Sequence, residues 1–179
     1  TDALPAFDVD FEAEATERTM HKDQDGNDQF LPYVRDPQTL ARAWARPGTP
    51  DLEHRIGGLE KEHQTGNVSY DAENHQKMVE IRAQKVQNVT QDIPPTQVYG
   101  HSDGDLLVLG WGSTEGAIEE ATERACEKGL RVGSVVLRHV WPLPADLGDV
   151  LDRFDHALVP ELNNGQLVRV LRDQYPNRD

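Results

Sequence analysis

Between Asp105 and Tyr175 the chain alternates three times between a run of aliphatic residues and a segment of helical periodicity. This alternation limits the fold more than any other feature of the sequence. A strand, a helix and a further strand in the same sheet join through a right-handed crossover, and repeating the unit builds a parallel sheet with helices against it. "DLLVLGWG", residues 105–112, is apolar at consecutive positions, as expected of a strand covered on both faces. Ser113 or Thr114 is placed to cap the helix "TEGAIEEATERACEKG", with Ala117, Ile118, Ala121, Ala125 and Cys126 on its inner face and Gly129 as its stop. "RVGSVVLRHV" reads as the second strand, and after the turn "WPLP" comes the helix "ADLGDVLDRF", with Leu147, Val150, Leu151 and Phe154 inward. "HALVPEL" is the third strand, and "GQLVRVLRDQY" is a helix burying Leu167, Val170 and Leu171. "TQVYG", residues 96–100, has the composition of a short edge strand.

Composition changes at "DIPP", residues 92–95. Upstream, polar and charged residues dominate and aliphatic clusters are sparse, so that part cannot bury a core by itself. The expected organisation is therefore an extended arm and linker over residues 1–95, followed by an α/β domain over residues 96–179. Within the arm, "SYDAENHQKMVEIRAQKVQNV" predicts a helix near 72–89 with Asp71 as N-cap and a stripe of Met78, Val79, the Arg82 stem, Val86 and Val89. "RDPQTLARAWA" reads as a second, short helix with Asp36 as cap and Pro37 in the first turn, ended by "RPGTP". Residues 1–30 and 46–70 read as loop or extended segments, and loops of that length wrap a partner or another domain.

The formal charge of -14 over 179 residues argues against a nucleic-acid or anionic-membrane partner, each of which requires a basic footprint. No apolar run reaches membrane-spanning length, and the opening stretch lacks the features of a secretory signal, so a cytoplasmic protein is expected. Cys126 is the lone cysteine, which leaves no cysteine-ligated zinc or iron–sulfur site within the chain and makes a buried structural thiol the expected role.

Four motifs bear on chemistry. "GWGSTEG" spaces Gly110, Gly112 and Gly116 one residue longer than a dinucleotide fingerprint, and the next strand ends in Arg138 and His139. Glu115 would set a carboxylate where a pyrophosphate has to sit, so a tight turn is the favoured reading, with an independent nucleotide-binding module using Gly110, Gly112 and Ser113 as the alternative. "DQDGND", residues 23–28, has the flavour of a calcium loop, but its glycine comes too early and the closing glutamate is missing. Glu53, His54, Glu60, Glu62 and His63 include metal-ligating types, but the histidines lack i, i+4 spacing and a solvated polar loop is favoured; no metal site is expected. "VPELNNGQLVRVL" puts Glu161 and Asn163 just past a strand, Asn164-Gly165 at a turn and Gln166 at a helix start. Polar groups at that edge of a parallel sheet meet ligands or partners, or else cap the following helix, and both readings stand.

Four blocks in order, "RDPQTLARAWARPGTPDLEHRIGGLEKEHQTGNVSYDAENHQKMVEIRAQKV", "DLLVLGWGSTEGAI", "LRHVWPLPADL" and "VPELNNGQL", resemble the C-terminal third of the alpha subunits of the 2-oxoacid:ferredoxin oxidoreductase family, in particular those acting on 2-oxoglutarate. The resemblance runs from about Phe30 to Arg172. It implies a domain similar to the transketolase C-terminal domain, within an enzyme that converts a 2-oxoacid and CoA to an acyl-CoA, CO2 and reduced ferredoxin. It further implies thiamine diphosphate, magnesium, an iron–sulfur cluster and CoA in the whole complex, none of them with a site expected on this chain. The partners implied are a beta subunit, the rest of the alpha subunit, and ferredoxin as acceptor. On this view the thiamine-activating glutamate lies upstream and the segment has no catalytic residue of its own. Gly110, Gly112, Ser113, Thr114, Glu161, Asn163, Gly165 and Gln166 are then interface or ligand-edge candidates. Trp141, where the family tends to carry a smaller residue, and Asn164, where it carries a hydrophobic one, depart from the pattern.

Overall fold

The structure, a computed structural model, describes residues 20–22, 25–45 and 47–176. The opening stretch that lacks signal features, and Asp23 and Gln24 of the calcium-like run, lie outside the described residues. Contacts divide the chain into two units with their boundary between Asn88 and Val89, a few residues before the composition changes.

The second unit is built on a four-stranded sheet. Its strands are β3 (Tyr99–Gly100), β4 (Gly104–Trp111), β5 (Val132–Leu137) and β6 (Phe154–Leu158), in the order β3-β5-β4-β6. β5 and β6 run parallel to β4 on either side, Leu106 opposite Val132 and His156, whereas β3 is an antiparallel edge with Tyr99 opposite Ser134. The expected edge strand is therefore present, and its direction makes the sheet mixed. Helices α2 (Glu115–Glu127), α3 (Leu147–Leu151) and α4 (Leu167–Gln174) complete the unit.

The strand order explains which face each helix takes. The step from β4 to β5 and the step from β5 back past β4 to β6 go in opposite directions along the sheet, so two right-handed crossovers must lie on opposite faces. Accordingly, Val108 and Val132 pack with Ile118 of α2, while Leu107, Leu109, Val135 and Leu137 pack with Leu147, Val150 and Leu151 of α3 and Leu167 and Leu171 of α4. Both faces of β4 are covered, which is why its sequence is apolar at consecutive positions. At the end of α2, Gly129 takes φ +80° and its N–H and that of Leu130 donate to the carbonyls of Cys126 and Ala125, closing the helix as the glycine predicts.

Several expectations are corrected in detail. On α2, Ala117 and Ala121 are exposed, and the inward positions are Ile118 and Thr122, with Ala125 and Cys126 half-buried. Thr122 is polar and so stands outside the expected stripe, but its hydroxyl donates to the Ile118 carbonyl at 2.9 Å and carries no unmet donor into the core. Phe154 begins β6 rather than ending α3, and β6 stops at Leu158. Asp146 precedes α3 without capping it; its carboxylate accepts from the Thr96 N–H at 2.8 Å and hydroxyl at 2.7 Å, tying the segment before β3 to the unit.

The first unit has a different construction. A hairpin of β1 (Met20–Lys22) and β2 (Asp28–Phe30) replaces the expected loop, with Met20 opposite Phe30 and Lys22 paired to Asp28 at 2.6 Å. Helix α1 (Ala72–Asn88) is present where its pattern predicts, and Asp71 accepts the Asn74 N–H at 2.7 Å as its cap. Of its expected stripe only Met78 is buried; Val79, Val86 and Val89 are exposed and Arg82 pairs with Glu60. "RDPQTLARAWA" is not a helix. Asp36 accepts from the N–H groups of Gln38 and Thr39 as a cap would, but Leu40 turns to φ +56° and Arg42 pairs back with Arg35 as an antiparallel bridge. A cap at an isolated turn satisfies the same donors as one at a helix, so the local signal at Asp36 is genuine and only the helix expected after it is missing.

Residues 89–179 should melt cooperatively by themselves, because every buried contact of the second sheet lies within them. Starting the segment at His101 removes β3 and the two Thr96–Asp146 bonds and should lower stability by about 1.5–3 kcal/mol. Thermal unfolding of the two segments checks this, and equal melts would show that the Thr96 tether contributes nothing.

Candidate functional site

The carboxyl ends of β4, β5 and β6 lie at one edge of the sheet, and the loops that leave them carry "GWGSTEG", "RHVWPLP" and "VPELNNGQ". Because the connections after β4 and β5 leave toward opposite faces, the edge between Trp111 and Leu137 is where a doubly wound sheet opens a crevice for ligands.

At the first loop the glycines have separate reasons. A Cβ on Gly110 would collide with the Ile118 side chain and press on the Thr114 hydroxyl, so this glycine lets α2 lie close on β4. Gly112 adopts φ +62°, which turns the chain out of the strand. A Cβ on Gly116 would meet nothing within 4 Å, so that position carries no such constraint. Thr114 sits at the N-cap of α2, but its hydroxyl donates to the Trp111 carbonyl at 2.8 Å, and neither it nor Ser113 accepts from the helix. Glu115 reaches across to Arg138, at 3.6 Å, with both side chains largely exposed. The pair is weak, as exposed pairs are, but it sets a carboxylate at the mouth of the crevice where a phosphate would need positive potential. Packing and turn geometry thus account for Gly110 and Gly112 without a nucleotide.

The third loop is built around Glu161. Its carboxylate accepts the N–H groups of Gln166 at 3.1 Å, Leu167 at 2.9 Å and Val168 at 3.0 Å, and Asn163 accepts those of Gly165 at 2.8 Å and Gln166 at 2.9 Å. Gly165, at φ +78°, makes the reversal that brings these donors round. The first turn of α4 therefore has its free N–H groups met by two side chains from the loop. Partial desolvation raises the Glu161 pKa, but the donors from Leu167, Val168, Asn163 and Gln166 outweigh it and hold the carboxyl below the usual glutamate value. Of the two readings left open by the sequence, this geometry realises capping for Glu161 and Asn163; the side chain of Gln166 takes no part in the cap.

Beside polar groups such as Arg138 and His139, the edge presents apolar side chains outward. Leu162, between the two capping residues, is 93 % exposed, and Trp141 and Leu158 are each about half exposed. Trp141, within the second loop, precedes a cis peptide bond to Pro142.

The histidine and glutamate set of residues 53–63 is dispersed. His63 pairs with Glu62 at 2.5 Å, Glu60 with His75 and Arg82, and His54 lies beside the Leu52 carbonyl and edge-on to Phe30. Among the described residues no group of three or more His, Cys, Asp or Glu side chains is arranged to hold a metal ion, and no helix is long and apolar enough to cross a membrane.

Residues 104–178 match the family model for pyruvate:ferredoxin oxidoreductase core domain II. The chain is 48% identical over 147 residues to the 2-oxoglutarate oxidoreductase subunit KorA of Mycobacterium tuberculosis, covering 82% of this chain and 22% of that protein. It is 35% identical over 94 residues to subunit alpha of the 2-oxoacid:ferredoxin oxidoreductase 1 of Aeropyrum pernix, covering 50% of this chain and 15% of that one. The sequence is related to the alpha subunits of 2-oxoacid:ferredoxin oxidoreductases. A solved structure agrees: the 2-oxoglutarate:ferredoxin oxidoreductase from Magnetococcus marinus, with 2-oxoglutarate, coenzyme A and succinyl-CoA bound, superposes with a TM-score of 0.72 at 33% identity, covering 85% of this chain and 27% of that one. The chain thus spans about a seventh to a quarter of the length of these relatives. The likeness to the mycobacterial subunit is longer than the second unit, so it extends into the first as well.

Two substitutions separate packing from ligand binding at the first turn. Gly110→Ala should destabilise by about 1–3 kcal/mol through overpacking against Ile118, whereas Gly116→Ala should raise stability by up to about 1 kcal/mol, as alanine does in a helix. Chemical denaturation of both variants measures the contrast, and a destabilised Gly116→Ala would show a constraint that the packing does not contain. At the third loop, Glu161→Gln should cost about 1 kcal/mol at neutral pH. Its carboxyl ionises more readily in the folded than in the unfolded chain, so its contribution is complete above about pH 4.5 and is lost as pH falls below that value. The gap between wild type and variant should therefore close on acidification, and a gap that stays constant in acid would remove the charge from the capping argument.

Proposed function

We propose that this sequence is the C-terminal assembly segment of the alpha subunit of a thiamine-diphosphate-dependent 2-oxoacid:ferredoxin oxidoreductase, with 2-oxoglutarate as its 2-oxoacid. The whole enzyme converts the 2-oxoacid and CoA to an acyl-CoA and CO2 and passes the electrons to ferredoxin. The relation to alpha subunits and the core domain II match support the reading, and so does the presence of coenzyme A and succinyl-CoA with the related solved structure. Thiamine diphosphate, magnesium and an iron–sulfur cluster belong to the complex on this proposal. A single cysteine does not supply the ligands of a cluster, and no residue of the carboxyl edge is placed as an acid, base or nucleophile, so the reacting centre is assigned to other parts of the enzyme.

The observation that carries the assembly role is the exposed apolar edge. The polar atoms of Glu161 and Asn163 are spent on α4, and Gly110 and Gly112 on the first turn, which leaves Leu162, Trp141 and Leu158 to make contact outward. Exposed apolar side chains beside polar groups already committed to the fold suit a protein interface of an obligate complex. The face is assigned to the beta subunit, or to the remainder of the alpha subunit, in cytoplasmic enzyme. Among the candidate residues, Gln166 and Ser113 remain with side chains free to bond across such an interface.

Leu162→Asp, made in an alpha subunit containing this sequence and co-expressed with its beta subunit, should reduce co-purification and 2-oxoglutarate-dependent viologen reduction together by about tenfold or more, as loss of a central apolar contact does. The melt of the 179-residue chain should be unchanged, since Leu162 touches little within it. Full assembly and activity in the variant would overturn the assignment of this face.

A further inference from the structure

The strongest local departure from the character of the chain lies in the first unit. The sequence holds 18 lysine and arginine residues against 32 aspartate and glutamate. Yet one cavity of about 400 Å³ is lined by Arg35, Arg42, Lys61, Arg82 and Lys85 with Glu60 as its single carboxylate.

The five cations divide by what satisfies them. Lys61 is buried and donates to the carbonyls of Gly57 at 2.8 Å and Leu59 at 2.6 Å. Arg35 donates to the carbonyls of Tyr33 at 2.7 Å and His63 at 2.8 Å and reaches the Met78 sulfur. Carbonyls meet their N–H groups but neutralise no charge. Glu60 is committed to Arg82 and His75, which hold its carboxyl ionised with a pKa of about 2. Arg42 and Lys85 form no ion pair among the described residues. The excess is felt within the cluster: burial first, then the neighbouring charges of Arg42 and Arg82, lower the pKa of Arg35. Repulsion of this kind inside a concave surface focuses positive potential into the cavity.

Arg42 is also held in place. Its guanidinium lies 4.4 Å from the centre of the Tyr33 ring, and its backbone bridges to that of Arg35, so little side-chain freedom is lost when it takes a ligand. Arg42 and Lys85 line a second cavity as well, of about 530 Å³, on which Trp44 and Ile56 present exposed apolar surface. The two cavities thus share Arg42 and Lys85, the first cavity being lined mainly by cations and the second carrying Trp44 and Ile56 together with the Glu53 carboxylate. Both volumes are in the range of small-molecule sites.

We propose that this paired cavity is a binding site for a small phosphate-bearing ligand with a planar ring, of the nucleoside diphosphate class, its phosphates between Arg42, Arg82 and Lys85 and its ring against Trp44. A dianionic group answers the uncompensated charge better than a single carboxylate, and the aromatic surface across the shared rim specifies a ring. The site is separate from the "GWGSTEG" turn and does not rest on the assembly role of the second unit.

Calorimetric titration of the full 179-residue chain with ADP, inorganic pyrophosphate and adenosine tests it. ADP should bind most tightly, pyrophosphate should bind more weakly at the same stoichiometry, and adenosine should give no saturable signal. Arg42→Gln and Lys85→Gln, both at exposed side chains, should each weaken ADP and pyrophosphate by about tenfold, the loss expected for a charge-assisted bond. Trp44→Ala should weaken ADP and leave pyrophosphate alone. Arg124→Gln, on α2, should change neither and so controls for general attraction to basic groups. The proposal is overturned if neither phosphate probe saturates at millimolar concentration, if adenosine binds as well as ADP, or if the Arg42 and Lys85 variants bind as the parent chain does.

Discussion

Burial of β4 on both faces is the constraint on which the second unit depends. Leu107 and Leu109 are wholly buried on one side and Val108 nearly so on the other, with each such side chain contributing about 1.5–3 kcal/mol by removal from water. A strand covered on only one side would tolerate polar residues at alternate positions, and this one does not. From that single requirement follow the opposed placement of α2 against α3 and α4, the need for Gly110 where α2 approaches, and the collection of three loops at one edge. The edge is therefore a by-product of the core, and its chemistry is set by what the loops have left after satisfying their own backbone.

The first unit shows the opposite balance. Leu52 and Met78 are its only buried large aliphatic side chains among the described residues, which cannot offset the entropy of ordering so many residues of loop. Its order comes from side chains that bond to backbone across the loops. Asn74 on α1 accepts the His63 N–H at 3.0 Å and donates to the Lys61 carbonyl at 2.9 Å, while Glu62 accepts from Gln64 and Thr65. Each such bond is worth about 1 kcal/mol net, yet breaking one leaves a buried group unmet at a larger cost, so the network specifies a conformation more strongly than it stabilises one. A basic cluster survives in such a unit because Lys61 and Arg35 serve as staples, their charge being incidental to the bonds they make.

These two constructions differ in how far the sequence reveals them. The second unit is legible almost element by element, because apolar runs and 3.6-residue periodicity report directly on burial. Its departures are local: Thr122 is polar by type though its hydroxyl closes on its own helix, and Phe154 fits the helix pattern because an apolar residue suits either period. In the first unit, Asp36 and Asp71 carry the same N-cap signal, but only Asp71 is followed by a helix. The difference lies at Leu40, whose positive φ no propensity would forecast and which the Arg35–Arg42 pairing imposes. The staples of Lys61 and Asn74 are not legible at all, since neither a bond from a side chain to a nearby loop carbonyl, as Lys61 makes to Gly57 and Leu59, nor one to a distant carbonyl, as Asn74 makes to Lys61, leaves a periodic trace. For the candidate edge, the position of each loop can be read, whereas the allocation of Glu161 between cap and interface requires coordinates.

That allocation bears on how the edge is able to act. A carboxylate that accepts three backbone N–H groups is fixed in place and has little capacity left for a partner, so Glu161 and Asn163 are poor recognition groups in themselves. Their bonds nevertheless hold the segment from Glu161 to Gln166 in one conformation, and Leu162 lies within that segment with almost its whole side chain in solvent. An exposed leucine on a mobile loop would lose backbone entropy on docking; on a loop already closed by five backbone hydrogen bonds, that cost has been met during folding. On the proposed interface reading, capping and contact are successive uses of the same residues. The polar atoms organise the loop inward, and the organised loop presents its apolar residue outward.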